Sequence, residues 1–267
     1  MSDRRVVLVT GGARGVGRGI SEQFLADGCE VVVCGREPPA QLPQAGGRTA
    51  TFVKTDVRDA AARDLLFAEI TARFGRLDVL VSNAGGAPFA MADQASPRFH
   101  ESIVQLNLLA PLHLAQQANA VMQAQGQGGV IVFIASVSGL RASPGTAAYG
   151  AAKAGLISLT QSLAVEWAPK VRVVAISPGP VQTEQSELHY GDAAGIAAVA
   201  RTIPAGRLAT PADIGAACAW LCSAQGAYAS GSNLVLQGGG ERPAFLDAAQ
   251  KEGRILNSNR GPKQELK

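Results

Sequence analysis

Val6-Val-Leu-Val-Thr-Gly-Gly-Ala-Arg-Gly-Val-Gly17 is the stretch of sequence that decides the fold. A short β-branched run, Val6–Val9, is followed by a glycine-rich turn and then by a helical pattern over Val16–Ala26. Glycines let a backbone turn tightly and approach a phosphate closely, and the N-terminus of the next helix favours the negative charge. The spacing G-x-x-x-G-x-G departs from the common G-x-G-x-x-G, so an ordinary tight turn is the alternative interpretation. The stretch predicts the opening of a parallel α/β fold.

Strand-like runs alternate with helical patterns along the rest of the chain. The strands are apolar without alternating polar positions, which is expected of a parallel sheet covered on both faces. The alternation predicts a single-domain, doubly wound parallel sheet, a Rossmann fold, with helices on both faces. The expected strands are Val6–Val9, Glu30–Cys34, Thr51–Lys54, Val79–Ser82, Gly129–Ala135, Val171–Ile176 and Asn233–Leu236. The expected helices are Val16–Ala26, Ala60–Phe74, Pro97–Gln125 with a bend near Pro111, Ala147–Trp167 and Ala212–Ser223.

The domain organisation is predicted to be simple. A chain of 267 residues, of which 47% are hydrophobic and 17% charged, can form one globular core. Residues 184–206 contain no strand and mix small, polar and apolar residues, a pattern typical of a flexible lid. We therefore expect one domain over residues 1–245, which includes this lid, and a C-terminal tail over residues 246–267.

The charge pattern argues against nucleic acid and membrane partners. Basic residues exceed acidic ones by 24 − 21 = 3, and from Arg254 to the end four cations face only Glu265. A short mixed stretch of this kind is typical of a solvated terminus, since no basic stripe with interleaved aromatic residues is present. No apolar run reaches the ~20 residues that span a bilayer. We expect neither a nucleic acid nor a membrane partner.

The cysteines and histidines predict neither disulfides nor a metal site. The first strand begins at Val6 with no signal peptide before it, so the expected compartment is the reducing cytoplasm. Cys218 and Cys222 lie four residues apart on an expected helix, a spacing that a metal can use. The three histidines, however, lie far from them in sequence. Buried thiols that pack as small apolar side chains are the favoured interpretation.

Tyr149-Gly-Ala-Ala-Lys153 indicates the chemistry. Residues four apart share one face of a helix, so the ammonium of Lys153 can approach the phenol of Tyr149. An unperturbed tyrosine has a pKa of about 10, and a nearby cation lowers it. A tyrosine tuned in this way moves a proton to or from a substrate oxygen. Many helices contain this pair by chance, but here it accompanies the glycine-rich turn and Ser136, which lies thirteen residues before Tyr149.

On these residues, the chain resembles the short-chain dehydrogenase/reductase family over about residues 5–240. The resemblance rests on Gly11, Gly15, Gly17, Asn83-Ala-Gly85, Asn107, Ser136, Tyr149, Lys153 and Pro178-Gly179. It implies interconversion of a secondary alcohol and a ketone with a nicotinamide dinucleotide. Tyr149 is then the acid/base, and Lys153 lowers its pKa and holds the nicotinamide ribose. Ser136 hydrogen-bonds the substrate oxygen, and Asn107 anchors a water that links Lys153 to solvent. Without the family context, an interior asparagine bonded to backbone is the alternative interpretation of Asn107.

Charge favours NADP(H) over NAD(H) as the cofactor. Members that bind NAD usually end the second strand with an acid on the ribose hydroxyls, whereas here Gly35 takes that position and Arg36 follows it. An arginine fork binds a 2′-phosphate, which an acid would repel. Arg14 in the glycine-rich turn is a second candidate cation, while Glu37 complicates the assignment. Solvated loop charges are the alternative for both arginines.

The resemblance assigns further cofactor contacts. Asp56-Val57 flank the adenine, Asn83-Ala-Gly85 line the cofactor, and the segment from Pro178 to Thr183 orients the nicotinamide carboxamide. The full expected set is Gly11, Arg14, Gly15, Val16, Gly17, Arg36, Asp56, Val57, Asn83, Ala84, Gly85, Tyr149, Lys153, Pro178, Gly179, Val181 and Thr183. The structural alternatives are a helix N-cap for Asp56, a turn former for Asn83 and a strand terminator for Pro178-Gly179.

The substrate is less sharply indicated. Phe89, Leu140, Leu188 and Tyr190 favour an apolar pocket, with ordinary packing as the alternative. In stretches such as Ser96-Pro-Arg-Phe-His100 the chain is similar to actinobacterial members linked to steroid ring breakdown. Those act on bulky alicyclic groups carried as coenzyme A thioesters.

Two other functions and an assembly stay open at this point. A 3-oxoacyl thioester reductase of fatty-acid type shares the fold and the four catalytic residues. A non-catalytic dinucleotide-binding sensor is the alternative from another class. The resemblance also implies a homodimer or homotetramer in which Pro97–Gln125 and Ala147–Trp167 pair with their symmetry mates.

Overall fold

The described part of the chain, residues 4–241 and 243 of a computed structural model, contains nine strands and eight α-helices. The expected tail over residues 246–267 and the expected domain end at residue 245 lie outside the described residues. The strands are β1 (Val6–Thr10), β2 (Glu30–Gly35), β3 (Gln44–Ala45), β4 (Arg48–Thr49), β5 (Thr51–Lys54), β6 (Val79–Ser82), β7 (Gly129–Ile134), β8 (Val171–Pro178) and β9 (Asn233–Leu236). The helices are α1 (Gly15–Ala26), α2 (Ala60–Phe74), α3 (Pro97–Val104), α4 (Ala110–Ala124), α5 (Ala147–Glu166), α6 (Ser186–Tyr190), α7 (Ala193–Thr202) and α8 (Pro211–Leu221).

Seven strands form one parallel sheet, which confirms the predicted doubly wound fold. Their order is β5-β2-β1-β6-β7-β8-β9, and every neighbouring pair is parallel. The chain runs outward from β1 through β2 to β5 and then returns to the other side of β1 with β6. In open α/β sheets the ligand crevice lies at the carboxyl ends of the strands where this order reverses. The crevice is therefore expected between the ends of β1 and β6.

The strands send their side chains alternately into two apolar cores, one on each face of the sheet. Val6 and Leu8 belong to a core with side chains of α2, α4 and α5. Val7 and Val9 belong to a second core with side chains of α1 and α8. Because helices cover both faces, both kinds of strand position are apolar, which explains why the sequence shows no alternation.

A short antiparallel hairpin of β3 and β4 was not expected from the sequence. Gly46 and Gly47 join its strands, with φ angles of +56° and +71°. A two-residue hairpin turn with positive φ at both positions favours glycine, so this Gly-Gly pair is the signal that the strand pattern missed.

The helix expected over Pro97–Gln125 is helical from Pro97 to Ala124, but a π-helical turn at Gln105–Leu109 separates α3 from α4. In this turn the N–H of Ala110 donates to the carbonyl of Gln105, five residues back. Pro111 has no N–H, so the carbonyl of Asn107 lacks the donor that an α-helix would supply there. The bend expected near Pro111 is therefore a wider turn centred on Asn107, and such turns are frequent at functional sites.

The segment expected to be a lid, residues 184–206, contains α6 and α7 and no strand. Its ends are fixed near each other by a parallel bridge between Val181 and Ala209. The other expected helices and strands differ from the observed bounds by two residues at most.

Candidate active site

The glycine-rich turn joins β1 to α1 at the reversal point of the sheet. Gly11 and Gly15 have φ angles of +63° and +51°, a conformation that favours glycine. A Cβ on Gly17 would lie 2.3 Å from the carbonyl oxygen of Gly11 and 2.6 Å from Asn83 Nδ2. Val16 lies between Gly15 and Gly17 in the first turn of α1 and is partly buried. The spacing G-x-x-x-G-x-G thus follows from two backbone conformations and one close approach.

Asn83 fastens the glycine-rich turn to the end of β6. Its Nδ2 donates to the carbonyl oxygens of Thr10 and Gly11, at 2.9 and 3.4 Å. The Thr10 hydroxyl accepts hydrogen bonds from the N–H groups of Asn83 and Ala84, at 3.0 and 2.9 Å. The carboxyl ends of β1 and β6 therefore hold each other in place, and Gly85 follows at the edge of the crevice.

Asn107 is fully buried in the π-helical turn and contacts the loop after β6. Its Nδ2 donates to the carbonyls of Gly86 and Ile103 at 3.0 and 2.9 Å, and its Oδ1 accepts from the N–H of Gly86 at 2.9 Å. A Cβ on Gly85 would lie 2.6 Å from Asn107 Oδ1 and 3.4 Å from Lys153 Nζ. Asn107 is thus bonded to backbone, as the structural alternative held, and it also lies beside Lys153.

Tyr149 and Lys153 lie on one face of α5, as their spacing predicts. Lys153 Nζ is 5.5 Å from the centre of the Tyr149 ring. The lysine is buried and donates to the carbonyl of Ile134 at 2.7 Å. The Ser136 hydroxyl lies near enough to the Tyr149 hydroxyl to act on its pKa. The structure therefore brings Ser136, Tyr149 and Lys153 together beyond the carboxyl end of β7.

Two glycines let the loop that carries Ser136 lie flat against α5. A Cβ on Gly139 would lie 2.6 Å from the backbone nitrogen of Ala154, and a Cβ on Gly150 would lie 2.8 Å from the carbonyl oxygen of Ser138. Within the loop, the Ser136 hydroxyl accepts a hydrogen bond from the N–H of Ser138 at 3.1 Å. The position of Ser136 relative to Tyr149 is therefore set by backbone contact rather than by a flexible side chain.

Burial shifts the pKa of both groups on α5. Burial raises the pKa of Tyr149, the hydrogen bond with Ser136 offsets part of this, and the neighbouring phenol of Tyr190 raises it further. Burial lowers the pKa of Lys153 from 10.5 to about 8. The expectation of a lowered Tyr149 pKa is wrong for this structure, because the cost of removing a phenolate from water prevails. The site therefore holds Tyr149 as a protonated phenol.

The carboxyl ends of β2 and β5 carry the charges considered for cofactor choice. The guanidinium of Arg58 donates two hydrogen bonds to the carboxylate of Asp56, at 2.9 and 2.6 Å. They lower the pKa of Asp56 to about 2. The exposed Arg36 contributes to this lowering, so its charge also acts on Asp56. Glu37 pairs with Lys54 at 3.4 Å. Both acids near Arg36 are thus already paired with other cations.

The structure also gives the local surroundings of three residues expected to contact the cofactor, Asp56, Val57 and Arg14. Asp56 is not the N-cap of α2, because Asp59 takes that position and accepts from the N–H of Ala62. Val57 is buried. Arg14 is exposed at the N-cap position of α1 and makes no side-chain capping hydrogen bond.

The segment after β8 leads along the crevice to the glycine-rich turn. The N–H of Gly179 donates to the carbonyl of Leu236 at 2.8 Å, which fixes its start. At its far end, Thr183 Cγ2 lies 3.6 Å from the position of a Cβ on Gly15. Glu184 Oε1 then accepts a hydrogen bond from the N–H of Gly15 at 3.0 Å. The structure thus brings the segment containing Pro178, Gly179, Val181 and Thr183 to the same crevice as the turn.

Three of the side chains expected to form an apolar pocket lie exposed. Phe89, Leu140 and Leu188 are 75%, 49% and 81% exposed, so packing in the core does not explain them. A Cβ on Gly145, four residues before Tyr149, would lie 2.0 Å from the Phe89 ring. Phe89 therefore lies exposed against the loop that leads into α5 and Tyr149.

The cysteines are buried and unpaired, which confirms their interpretation as apolar packing residues. Cys218 and Cys222 belong to the core beneath α1 and α8. Within residues 4–241 and 243, no three histidine, cysteine or acidic residues gather closely enough to hold a metal ion. None of the described helices is both long enough and apolar enough to cross a bilayer.

The glycine-rich turn presents a backbone donor of the kind that a dinucleotide phosphate needs. The N–H of Gly15 already binds a carboxylate, so it is directed at an anion. Gly11, Gly15 and Gly85 add no side chains of their own to the crevice, where Thr183 and Glu184 approach Gly15. Such a cofactor, when bound, supplies or accepts a hydride. Ser136 and Tyr149 are placed to donate hydrogen bonds and a proton to one oxygen.

Three contacts of the site were missed by sequence reasoning. The hydroxyl of Thr10 is a structural acceptor for the loop after β6, although only its backbone position entered the motif. Arg58 follows Asp56 by two residues, a spacing from which the pair was readable. Glu184 lies 169 residues from Gly15, and no local pattern indicates such a contact.

Comparison with known proteins agrees with this geometry. The profile of a family described as Enoyl-(Acyl carrier protein) reductase matches residues 11–241. An uncharacterized short-chain type dehydrogenase/reductase from Sinorhizobium fredii is 38% identical over 242 residues, which are 88% of this chain and 43% of that protein. The 3beta-hydroxysteroid dehydrogenase 1 of Eggerthella lenta is 33% identical over 243 residues, 88% of this chain and 93% of that protein.

A solved structure has the same architecture. The ligand-free aldohexose dehydrogenase of Thermoplasma acidophilum matches with a TM-score of 0.82 and 27% identity, over 88% of this chain and 93% of that one. The chain therefore spans nearly all of the Eggerthella and Thermoplasma proteins and less than half of the Sinorhizobium protein.

Proposed function

The chain is a member of the short-chain dehydrogenase/reductase family, and on that premise we propose an NADP(H)-preferring oxidoreductase that interconverts a secondary alcohol and a ketone. Members of this family act on alcohols or ketones with a nicotinamide dinucleotide. The observation that carries the proposal is the gathering of Ser136, Tyr149 and Lys153 beside the glycine-rich turn. Tyr149 and Lys153 come from one face of α5, and Ser136 comes from the loop after β7 that packs on this helix.

In the reducing direction, Tyr149 gives its proton to the carbonyl oxygen as that oxygen gains negative charge. The raised pKa keeps the phenol protonated before the reaction, so the donor is in the correct state. Ser136 donates a hydrogen bond to the same oxygen and stabilises the developing charge. In the oxidising direction the proton returns to Tyr149, which must first lose its own proton.

Lys153 and Asn107 support that proton transfer. With a pKa of about 8, Lys153 exchanges a proton with its surroundings near neutral pH and can restore the charge state of Tyr149. Asn107 lies beside Lys153, and both side chains approach Gly85 so closely that a side chain at position 85 would not fit. We assign Asn107 the family role of anchoring a water between Lys153 and solvent. Lys153 also takes the role of holding the nicotinamide ribose.

The preference for NADP(H) rests on charge. Arg36 follows β2, and the acids near it, Asp56 and Glu37, are bound by Arg58 and Lys54. Within residues 4–241 no ion pair engages Arg36 or Arg14. A 2′-phosphate would therefore meet cations without a free carboxylate. The remaining expected cofactor contacts, Gly11 to Gly17, Asp56-Val57, Asn83 to Gly85 and Pro178 to Thr183, keep their family roles.

For the substrate we propose a bulky alicyclic alcohol or ketone, and among these a steroid-derived coenzyme A thioester. The exposed apolar side chains of Phe89, Leu140 and Leu188 support a large apolar substrate. The Eggerthella relative is named for a hydroxysteroid. The second candidate is a linear 3-oxoacyl thioester, which the acyl carrier protein in the family description favours. A sensor without turnover is disfavoured because all four residues, Asn107, Ser136, Tyr149 and Lys153, are present.

We propose that the protein is a homodimer or homotetramer in the cytoplasm. Along α5 the side chains of Ala151 and Ala154 are exposed, and Val165 is 80% exposed, which leaves a face for a symmetry mate. The four free thiols are in keeping with a reducing compartment. Light scattering at micromolar concentration tests the assembly, which a stable, fully active monomer would contradict.

One screen tests the function. Purified protein is incubated with NADP⁺ or NADPH and with alicyclic alcohols, alicyclic ketones, their coenzyme A thioesters and linear 3-oxoacyl thioesters, and the absorbance of the reduced nicotinamide is followed. Turnover of alicyclic substrates supports the proposal, and turnover confined to linear thioesters supports the second candidate. Cofactor binding without turnover of any alcohol or ketone would favour the sensor.

A further inference from the structure

The carboxylate of Glu184, the first residue of the lid segment, lies on the glycine-rich turn. Its Oε1 accepts a hydrogen bond from the N–H of Gly15 at 3.0 Å. Thr183 comes with it, and its Cγ2 lies 3.6 Å from the position of a Cβ on Gly15. The start of the lid is therefore tied to the first residue of α1.

Helix α1 has no capping group of its own. Arg14 at the N-cap position makes no side-chain capping bond, and the first turn contains no acidic residue. The first N–H groups of a helix lack partners within the helix, and the positive end of its dipole attracts an anion. Glu184 supplies this anion from a distant segment of the chain.

A tight turn directs the carboxylate of Glu184. The N–H of Thr183 donates to the Ser186 hydroxyl at 2.8 Å, and the N–H of Gln185 donates to the Thr183 hydroxyl at 3.2 Å. The N–H of Ser186 also returns to the carbonyl of Thr183 at 3.1 Å, and Ser186 is buried. Glu187 lies one residue beyond this turn, exposed to solvent.

We propose that Glu184 sets the cofactor affinity by competing with the cofactor diphosphate for the N-terminal amides of α1. This inference rests on the proposed function, which requires a dinucleotide at the glycine-rich turn. A carboxylate and a diphosphate repel each other and need the same N–H of Gly15. The diphosphate therefore binds as the Glu184 carboxylate leaves the N–H of Gly15. The departure of Glu184 in turn releases the start of the lid. The contact therefore couples cofactor entry to the freedom of residues 184–206, the segment expected to be a lid.

Cofactor titration tests the competition. NADPH and NADH are titrated into wild type, Glu184→Ala and Glu184→Gln, with Glu187→Ala as the matched control that removes an equal charge from the same segment. An anion at a helix N-terminus corresponds to about a two- to fivefold change in an equilibrium constant, so Glu184→Ala should bind both cofactors tighter by that factor. Glu184→Gln should lie between, because its amide oxygen still accepts a hydrogen bond. The ratio of the two affinities should not change, since both cofactors carry the diphosphate.

A second readout needs no cofactor. Glu184→Ala should lower the thermal midpoint of the cofactor-free protein, because α1 loses its cap, whereas Glu187→Ala should leave it unchanged. Should Glu184→Ala fail to fold, Glu184→Gln gives the same comparison.

The outcomes separate the two claims. If wild type binds both cofactors and Glu184→Ala binds them no tighter, the competition is overturned and the proposed function stands. An equal gain in Glu187→Ala also overturns it, because net charge alone would then be the cause. If wild type binds neither cofactor, the proposed function fails and this inference fails with it.

Discussion

Replacing Gly85 with alanine tests how closely Asn107 and Lys153 approach the loop after β6. The new methyl carbon would lie 2.6 Å from Asn107 Oδ1 and 3.4 Å from Lys153 Nζ. Asn107 has no simple way to retreat, because it is fully buried and makes three side-chain hydrogen bonds to backbone groups. The substitution must therefore either break those hydrogen bonds or displace the loop after β6.

Displacing the loop and breaking the hydrogen bonds of Asn107 have similar free-energy costs. Overpacking a well-packed interior costs about 1–3 kcal/mol. A buried amide that loses its partners costs about 1–3 kcal/mol as well. They are alternatives, because a loop that moves with Asn107 keeps the hydrogen bonds. We expect Gly85→Ala to lower the free energy of unfolding by about 1–3 kcal/mol, or the thermal midpoint by roughly 2–12 °C for a chain of this size.

Thermal and denaturant unfolding of the cofactor-free protein measure this effect. Gly126→Ala is the matched control, because a Cβ at Gly126 would meet no atom within 4 Å and its φ lies outside the left-handed region. The control should stay within about 0.5 kcal/mol of wild type. Equal unfolding midpoints for the two variants would refute the close approach of Asn107 and Lys153 to Gly85.

Two further predictions concern charge. Because burial lowers the pKa of Lys153 from 10.5 to about 8, the folded state binds fewer protons than the unfolded chain between these values, so stability rises with pH across that window. Urea unfolding should show wild type gaining stability relative to Lys153→Met from about pH 8 to about pH 10.5, and parallel pH profiles would contradict the lowered pKa. Arg36→Ala should weaken NADPH binding roughly ten- to 150-fold and leave NADH nearly unchanged, as expected for loss of a charge-assisted hydrogen bond. Equal affinities of wild type for both cofactors would show that the 2′-phosphate is not recognised.

The structural features that could be predicted from the sequence depend on residues close together along the chain or on strands that are buried over their whole length. β1 and its neighbours were readable because apolar runs covered on both faces need no partner to be recognised. The Tyr149/Lys153 pair was readable because a helix places residues four apart side by side. Ser136 was identified by its thirteen-residue interval to Tyr149. This interval brings the two residues close together because the loop after β7 packs directly on α5.

The features that were not readable depend on contacts between distant segments. The π-helical turn at Asn107 has a local cause in Pro111, but its side-chain bonds to Gly86 appear only when the helix meets the loop after β6. The direction of the Tyr149 pKa shift follows from burial, which spacing along a helix does not reveal. The bond from Glu184 to Gly15 crosses 169 residues and needs the whole sheet in place.

The turnover of Tyr149→Phe, measured together with cofactor binding, tests the central claim that the Tyr149 hydroxyl carries the proton. Phenylalanine keeps the ring that lies 5.5 Å from Lys153 Nζ and removes only the hydroxyl that meets Ser136. We expect kcat to fall by about 10²–10⁴-fold while NADPH still binds. Retention of more than about a tenth of the wild-type kcat would contradict it, because a general acid contributes far more than that factor.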